Sequence, residues 1–180
     1  MRILVSTILA ALLALPLHAR PLTEANEASL IKAVDGYLRA SAAANAQKVV
    51  ATIPPRVINV FAGTSGVEAK KLEETLVAQT AELLKATKIR QFKSDQGPFD
   101  VQDVTLADGS VVTWVLVGTE FTAITKDKTT RNTQPLLAIL EDKKWYFTRI
   151  DGPQQQQLVA FAYPFVADLT LPASTSTPVE

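Results

Sequence analysis

Acid–base chemistry in this chain depends on carboxylates, because the side chains that most often carry catalysis are scarce. The 180 residues include one histidine, His18, and no cysteine. His18 lies in an N-terminal apolar segment that we expect to be removed. A Ser-His-Asp or Cys-His site, and a zinc site with nitrogen or sulfur ligands, are then excluded from the rest of the chain. Aspartate, glutamate, tyrosine and lysine remain as candidate acids and bases.

Glu120 is the first candidate base. It follows the apolar run 111–117 in the longest predicted strand, and strict alternation places it on one face with Trp114 and Leu116. On an inward face this carboxylate could act as a general base or contact a ligand. If the strand twists outward past Gly118, Glu120 lies in solvent, and we favour that alternative.

Asp35 is the second candidate base. It follows Val34 on the predicted buried face of the first helix and could reach the edge of a pocket, whereas an exposed helix carboxylate is its ordinary role. Arg131 and Arg149, on strands that neighbour Glu120, are candidate partners for that carboxylate. Because Glu120 and Asp35 are both more ordinary as exposed carboxylates, we favour a binding function and leave a catalytic one open.

Aromatic side chains in the predicted strands are the candidate ligand-binding residues. They could line an apolar pocket or pack on the leucines of the helices, and we expect the core to take a large share. Calcium-binding loops have an acidic spacing that is not present here, so we expect no metal and no other cofactor. The candidates are Trp114, Phe121, Trp145 and Phe147.

The N-terminus has the pattern of a secretory signal. Arg2 precedes the apolar run 3–17, and Ala19 supplies a small residue at the expected cleavage site. The run is shorter than the ~20 residues that a membrane-spanning helix needs. We therefore expect cleavage near Ala19, a periplasmic or secreted protein, and no membrane span afterwards.

The charge of the chain is balanced, with 18 basic and 18 acidic residues. Basic residues are scattered among acids, as in 126–128 and 141–144, so we expect no surface for nucleic acid. The length that remains after the signal suits one domain with a hydrophobic core. We expect residues 1–19 to be the signal, 20–170 a single domain, and 171–180 a disordered Pro/Ser/Thr tail.

Apolar spacing predicts helices in the first half of the chain and strands in the second. The Asp108-Gly109 pair predicts a hairpin turn, and Ser65 to Glu68 has the spacing of a capping box. Helices followed by an antiparallel meander predict an α+β fold with the helices on one face of a curved sheet. The expected helices cover 24–44, 46–52, 56–61, 65–86 and 154–162, and the expected strands begin at 89 and cover 101–106, 110–125, 131–141 and 144–150.

An amphipathic first helix, a short helix interrupted by Pro54-Pro55, a second long helix and the closing strands 136–140 and 145–150 follow one another in the chain. This order resembles the NTF2-like, or cystatin-like, α+β cone over about residues 24–151. The resemblance implies a cone with an apolar interior. Some members of that superfamily bind ligands there, others such as the ketosteroid isomerases hold a carboxylate base, and many dimerise through the sheet.

We expect an exported protein that binds a small apolar ligand or an envelope protein partner without catalysis. One alternative is an enzyme of the isomerase or dehydratase kind that uses Glu120 or Asp35 as base. Another is a homodimeric accessory subunit of the cell envelope. The sequence leaves open whether residues 154–164 cover the mouth of the cone.

Overall fold

The structure is a computed structural model that describes residues 19–179. The predicted signal up to His18 lies outside the described residues. Within residues 19–179 no helix is both long and apolar enough to cross a bilayer. The helices are α1 (Glu24–Ala42), α2 (Ala46–Val50), α3 (Pro55–Ser65), α4 (Ala69–Ala86) and α5 (Pro153–Ala162), followed by a 3-10 helix (Pro164–Asp168).

The strands form one antiparallel sheet, so the predicted α+β class is confirmed. The two longest strands, β4 and β5, pair along their whole length and form its centre. Because each is about twice as long as its neighbours, two strands share each outer edge: β2 and β3 pair with β4, and β6 and β7 pair with β5. The strands are β1 (Arg20–Pro21), β2 (Lys88–Ser94), β3 (Asp100–Thr105), β4 (Val111–Ile124), β5 (Thr129–Glu141), β6 (Lys144–Arg149) and β7 (Thr175–Pro178).

Gly118 and Pro135 face each other across β4 and β5, at the gaps between the outer strands. The Gly118 amide donates to Asp95 Oδ2 at 2.7 Å, and a Cβ at position 118 would lie 2.6 Å from that oxygen, so any other residue would displace the Asp95 carboxylate. Pro135 lies between Thr133, paired with β7, and Leu136, paired with β6. Its missing N–H removes no bond from the sheet, which explains a proline inside a buried strand.

Alternation along the central strands sends apolar side chains to both faces of the sheet. We call the face of Val115 and Val117 the inner face; Leu30, Val34 and Leu38 of α1 pack there. The opposite, outer face carries Trp114, Leu137 and Ile139, against which α5 and the 3-10 helix pack Val159, Ala162, Tyr163 and Val166. Helices therefore cover both faces, whereas the sequence predicted cover on one.

Residues 65–69 show where local signals compete. The predicted capping box at Ser65 is wrong, because Ser65 belongs to the last turn of α3 and Gly66 ends that helix in the left-handed conformation at φ 65°. Helix α4 begins at Ala69, after Glu68, without a side-chain cap. Glycine takes that conformation at little cost, and its amide satisfies the carbonyl of Ala62.

The C-terminal segment is partly ordered. The prediction of a disordered tail over 171–180 is wrong for Thr175–Pro178, because β7 pairs there with β5 from Thr130 to Thr133. Threonine and serine are compatible with strands, and the open edge of β5 beside Pro135 gives them a partner. This pairing extends the sheet to its seventh strand.

Candidate ligand-binding cavity

A cavity of about 630 Å³ lies between the inner face of the sheet and the helices, and all five α-helices contribute residues to its lining. Its volume falls in the range of about 300 to 1,000 Å³ that is usual for sites of small ligands. It is open to solvent, and Leu83 in its lining is 62 % exposed. The cavity is therefore large enough and accessible enough to admit a small molecule.

The floor of the cavity is built by three neighbouring strands. Phe121 of β4, Leu136 of β5 and Phe147 of β6 all project from the inner face, on strands that pair with one another. Phe147 also contacts the ring of Tyr37 from α1, with ring centroids 5.7 Å apart. These side chains make the floor apolar, and the pairing of their strands makes it rigid.

Helix α4 forms the facing wall. Leu72, Leu76, Thr80 and Leu83 recur at three- and four-residue spacing and point into the cavity. None of the four is buried; Leu84 is the one buried residue of this fully described helix. The apolar stripe of α4, which we define as Leu72, Leu76 and Leu83, therefore borders open space where most amphipathic helices meet a core.

Arg149 is the single charged residue in the cavity lining that residues 19–179 provide. It ends β6 on the inner face, and its guanidinium carbon lies 5.7 Å from the centroid of the Phe121 ring. Within the described part of the chain, no carboxylate oxygen lies within 4.0 Å of the guanidinium nitrogens. An apolar cavity thus carries one positive charge that an anion from outside can approach.

Two polar residues hold Arg149 in place. Its Nη2 donates to the amide oxygen of Gln134, and the amide nitrogen of Gln134 donates to Asp151 Oδ1. Gln134 is buried, and its backbone carbonyl accepts the Thr119 hydroxyl at 2.7 Å. The guanidinium is therefore oriented by a neutral amide, which fixes its direction and leaves its charge uncompensated at direct contact.

The structure brings together two of the four predicted aromatic ligand residues. Phe121 and Phe147 line the cavity. Trp145 packs beneath α1, where its Nε1 donates to Ser29 Oγ at 3.0 Å. Trp114 lies on the outer face, stacked on Phe165 with ring centroids 5.4 Å apart. The two tryptophans therefore belong to the core.

Both predicted carboxylate bases lie outside the cavity. The Glu120 side chain is 43 % exposed, and its Oε1 is 3.9 Å from Nε of Arg131. The Asp35 side chain is 41 % exposed and pairs with Arg39 one helical turn away, at 3.3 Å. Neither carboxylate can reach a ligand that sits on Phe121 and Phe147.

A second polar cluster joins α3 to the far end of the sheet. Arg56 donates from Nη2 to Glu141 and from Nη1 to Asp108, both at 2.8 Å, and the hydroxyl of buried Tyr163 donates to Glu141 at 2.6 Å. Burial, reinforced by Glu141, raises the pKa of Tyr163, and the hydrogen bonds from Ser110 hold the pKa of Asp108 below its usual range. Because the charge of Arg56 is balanced by Asp108 and Glu141, we assign this cluster a structural role.

Sequence reasoning missed Arg149 as a cavity residue, although the signal was present. Arg149 follows Phe147 by two residues in one strand, so alternation alone places both on the same face. The leucines of α4 have the spacing of a buried helix face, and the same spacing is compatible with a core and with a ligand cavity.

Comparison of the chain with protein-family models, curated proteins and solved structures finds no match. Residues 19–179 contain no cluster of three or more His, Asp or Glu side chains that could hold a metal ion. The resemblance to the NTF2-like cone thus stays a prediction from element order, and function has to be argued from the cavity itself.

Proposed function

We propose that this protein binds a small apolar ligand, without catalysis, in the cavity between the inner face of the sheet and α4. The observation that carries the proposal is the apolar stripe of α4, which faces the apolar floor across open space. Removing apolar surface from water is favourable by about 25 cal/mol per Å². A ligand between these two walls would bury both of them at once.

The connections of α4 support a cavity that persists. Residues 66–68 join it to α3, and Thr87 alone joins it to β2. The helix also packs against α2 and α3. Since both ends of α4 are tied by short segments, the helix is held above the sheet and has little freedom to collapse onto Phe147.

The chemistry of the lining supports binding without catalysis. The described residues place no carboxylate in the cavity, and both candidate bases, Glu120 and Asp35, project elsewhere. The lining hydroxyls of Ser41 and Thr52 donate to backbone carbonyls of their own helical turns. The proposal includes export and an NTF2-like cone, which the leader pattern of residues 1–19 and the element order support.

The experiment is a titration with N-phenylnaphthylamine, a neutral dye whose fluorescence rises in apolar surroundings. We expect saturable binding of one dye per chain. Leu76→Gln, which places a polar group in the cavity wall, should weaken binding at least about fivefold because a buried amide without a partner is costly. Absence of saturable binding to the wild-type chain would contradict the proposal.

Phe161→Gln is the matched control. Phe161 lies on α5, is 69 % exposed and does not line the cavity. The same change to glutamine there should leave dye affinity at the wild-type value. Loss of binding in Phe161→Gln with retention in Leu76→Gln would place the dye outside the cavity and reject the proposed site.

A further inference from the structure

Resting on the proposed function, we infer that the ligand is a single-chain amphiphile with an apolar tail and one carboxylate, and that Arg149 pairs with that carboxylate. The tail would lie between the apolar stripe of α4 and the floor of Phe121, Leu136 and Phe147. The head would sit at the end of β6. The proposal joins the two properties of the cavity, its apolar walls and its single cation.

The geometry of Arg149 suits an anion. A guanidinium carries five N–H donors in a planar fork, and one of them is given to Gln134. The remaining donors can form the paired hydrogen bonds that carboxylates accept from arginine. Phe121 on one side and Gln134 on the other hold the group in position, so little side-chain freedom is lost on binding.

The charge of the lining selects one negative group. A cationic amphiphile would be repelled by Arg149, and a neutral one would gain nothing from it. A phosphate dianion would find a single cation in the lining, and Asp151, which accepts from Gln134 behind Arg149, opposes further negative charge. A monoanionic carboxylate matches the cavity best.

Head-group selection is tested by displacing the neutral dye with four ligands of one chain length: decanoate, decanol, decylammonium and decyl phosphate. We expect decanoate to bind about tenfold more tightly than decanol, because hydrogen bonds to a charged partner are the stronger kind. Decylammonium should bind most weakly. Equal affinities of decanoate and decanol, or tighter binding of decyl phosphate, would overturn the inference.

Three variants test Arg149 itself. Arg149→Met keeps the length of the side chain and removes its charge, so decanoate affinity should fall about tenfold, to that of decanol. Arg149→Lys keeps the charge without the fork and should retain part of the preference. Arg131→Met, which removes an arginine of β5 paired with Glu120 outside the lining, should change nothing. Unchanged decanoate affinity in Arg149→Met would overturn the inference.

Chain length gives an independent measure of the tail. Each added methylene should tighten binding about fourfold until the cavity is full, as for the transfer of a methylene out of water. An affinity that does not depend on chain length would overturn the inference, as would a dimer that decanoate dissociates, since a second copy would then occupy the cavity.

Failure of the inference and failure of the proposed function give different results. If the wild-type chain does not bind the neutral dye, the proposed function fails. A different result would reject the inference alone. In that case the dye binds and Leu76→Gln weakens its binding, but decanoate binds no more tightly than decanol and Arg149→Met binds decanoate as the wild type does. The cavity would then bind apolar ligands without recognising a carboxylate. Retained dye binding also shows that Arg149→Met is folded.

Discussion

Two arginines of this protein show how the same side chain serves structure in one place and is available for recognition in another. Arg56 donates to two carboxylates, Glu141 and Asp108, which balance its charge. Arg149 donates to the neutral amide of Gln134 and borders an apolar cavity. Residue type alone does not separate the two, because the difference lies in the partners that the fold supplies.

Arg56→Met should destabilise the protein. Glu141, whose side chain is 13 % exposed, would lose its ion pair and keep only the hydroxyl of Tyr163. Removal of one partner of a buried pair is strongly destabilising, and the partial exposure here reduces the expected loss to about 2 kcal/mol. Urea denaturation measures it.

Arg39→Met is the control for that experiment. Arg39 is 70 % exposed and pairs with Asp35 on the surface of α1. Its loss should cost no more than about 0.5 kcal/mol, as is usual for exposed pairs. Equal losses in Arg39→Met and Arg56→Met would show that the Arg56 cluster has no special structural role.

Acid should weaken the fold through two aspartates. The pKa of Asp103 is lowered by Arg20, whose Nε lies 2.5 Å from Oδ2 of Asp103, and by the hydroxyl of Thr113. The pKa of Asp108 is lowered by hydrogen bonds from Ser110. A folded pKa below the unfolded value of about 3.9 means that the charged form stabilises the fold. That stability is complete above about pH 5 and is lost as the pH falls through the folded pKa values.

Asp103→Asn tests this pH dependence. The variant cannot lose a charge at this position, so its free energy of unfolding should fall less steeply than that of the wild type below about pH 4. Above that pH it should be the less stable of the two, since it lacks the ion pair with Arg20. Urea denaturation at a series of pH values measures both, and identical acid slopes would be the contrary result.

At the scale of elements, the sequence predicted α1 and the central strands to within a few residues. Leu30, Val34 and Leu38 of α1 recur at four-residue spacing, and Asp108-Gly109 marks the turn between β3 and β4. The capping box at Ser65 failed because Gly66 offers a better helix end. The tail failed because its pairing depends on an open edge of β5 that forms only in the folded sheet.

The candidate site was predicted in part, for a physical reason. The sequence offered four aromatic candidates, of which Phe121 and Phe147 line the cavity. It could not show that Trp145 lies under α1 or that α4 stands away from the sheet, because both depend on how the helices pack. Periodicity indicates which side chains share a face, but it does not indicate whether that face meets another element or a cavity.

A pair of leucine truncations separates core from cavity. Leu30 of α1 is fully buried, so Leu30→Ala should cost about 3 kcal/mol, as for other leucines removed from cores. Leu76 of α4 faces the cavity, and Leu76→Ala should cost about 1 kcal/mol or less, since much of that side chain already meets open space. Urea denaturation compares the two.

The same pair should show the reverse order in ligand binding. Leu76→Ala should weaken N-phenylnaphthylamine binding, and Leu30→Ala should leave it unchanged under conditions where that variant is folded. A loss of stability in Leu76→Ala as large as that in Leu30→Ala would mean that α4 packs as a core helix and that the cavity is closed in solution.

At the scale of the whole molecule, the two faces of the sheet differ in how the helices pack on them. On the outer face, α5 and the 3-10 helix cover the apolar part, while the inner face is covered by α1 on one part and borders the cavity on another. Helix α5 contributes Gln155, Leu158 and Val159 to the cavity wall without closing its mouth. A dimer through the outer face would therefore have to use polar residues such as Glu120 and Arg131.

The most direct test of a ligand cavity is to titrate isotope-labelled methyl groups with decanoate and follow their NMR shifts. We expect large shifts at Leu72, Leu76 and Leu158, which line the cavity, and small ones at Val112 and Val166, which lie in the core of the outer face. Shifts centred on the outer face, or no shifts at any concentration below micelle formation, would contradict a ligand site between α4 and the sheet.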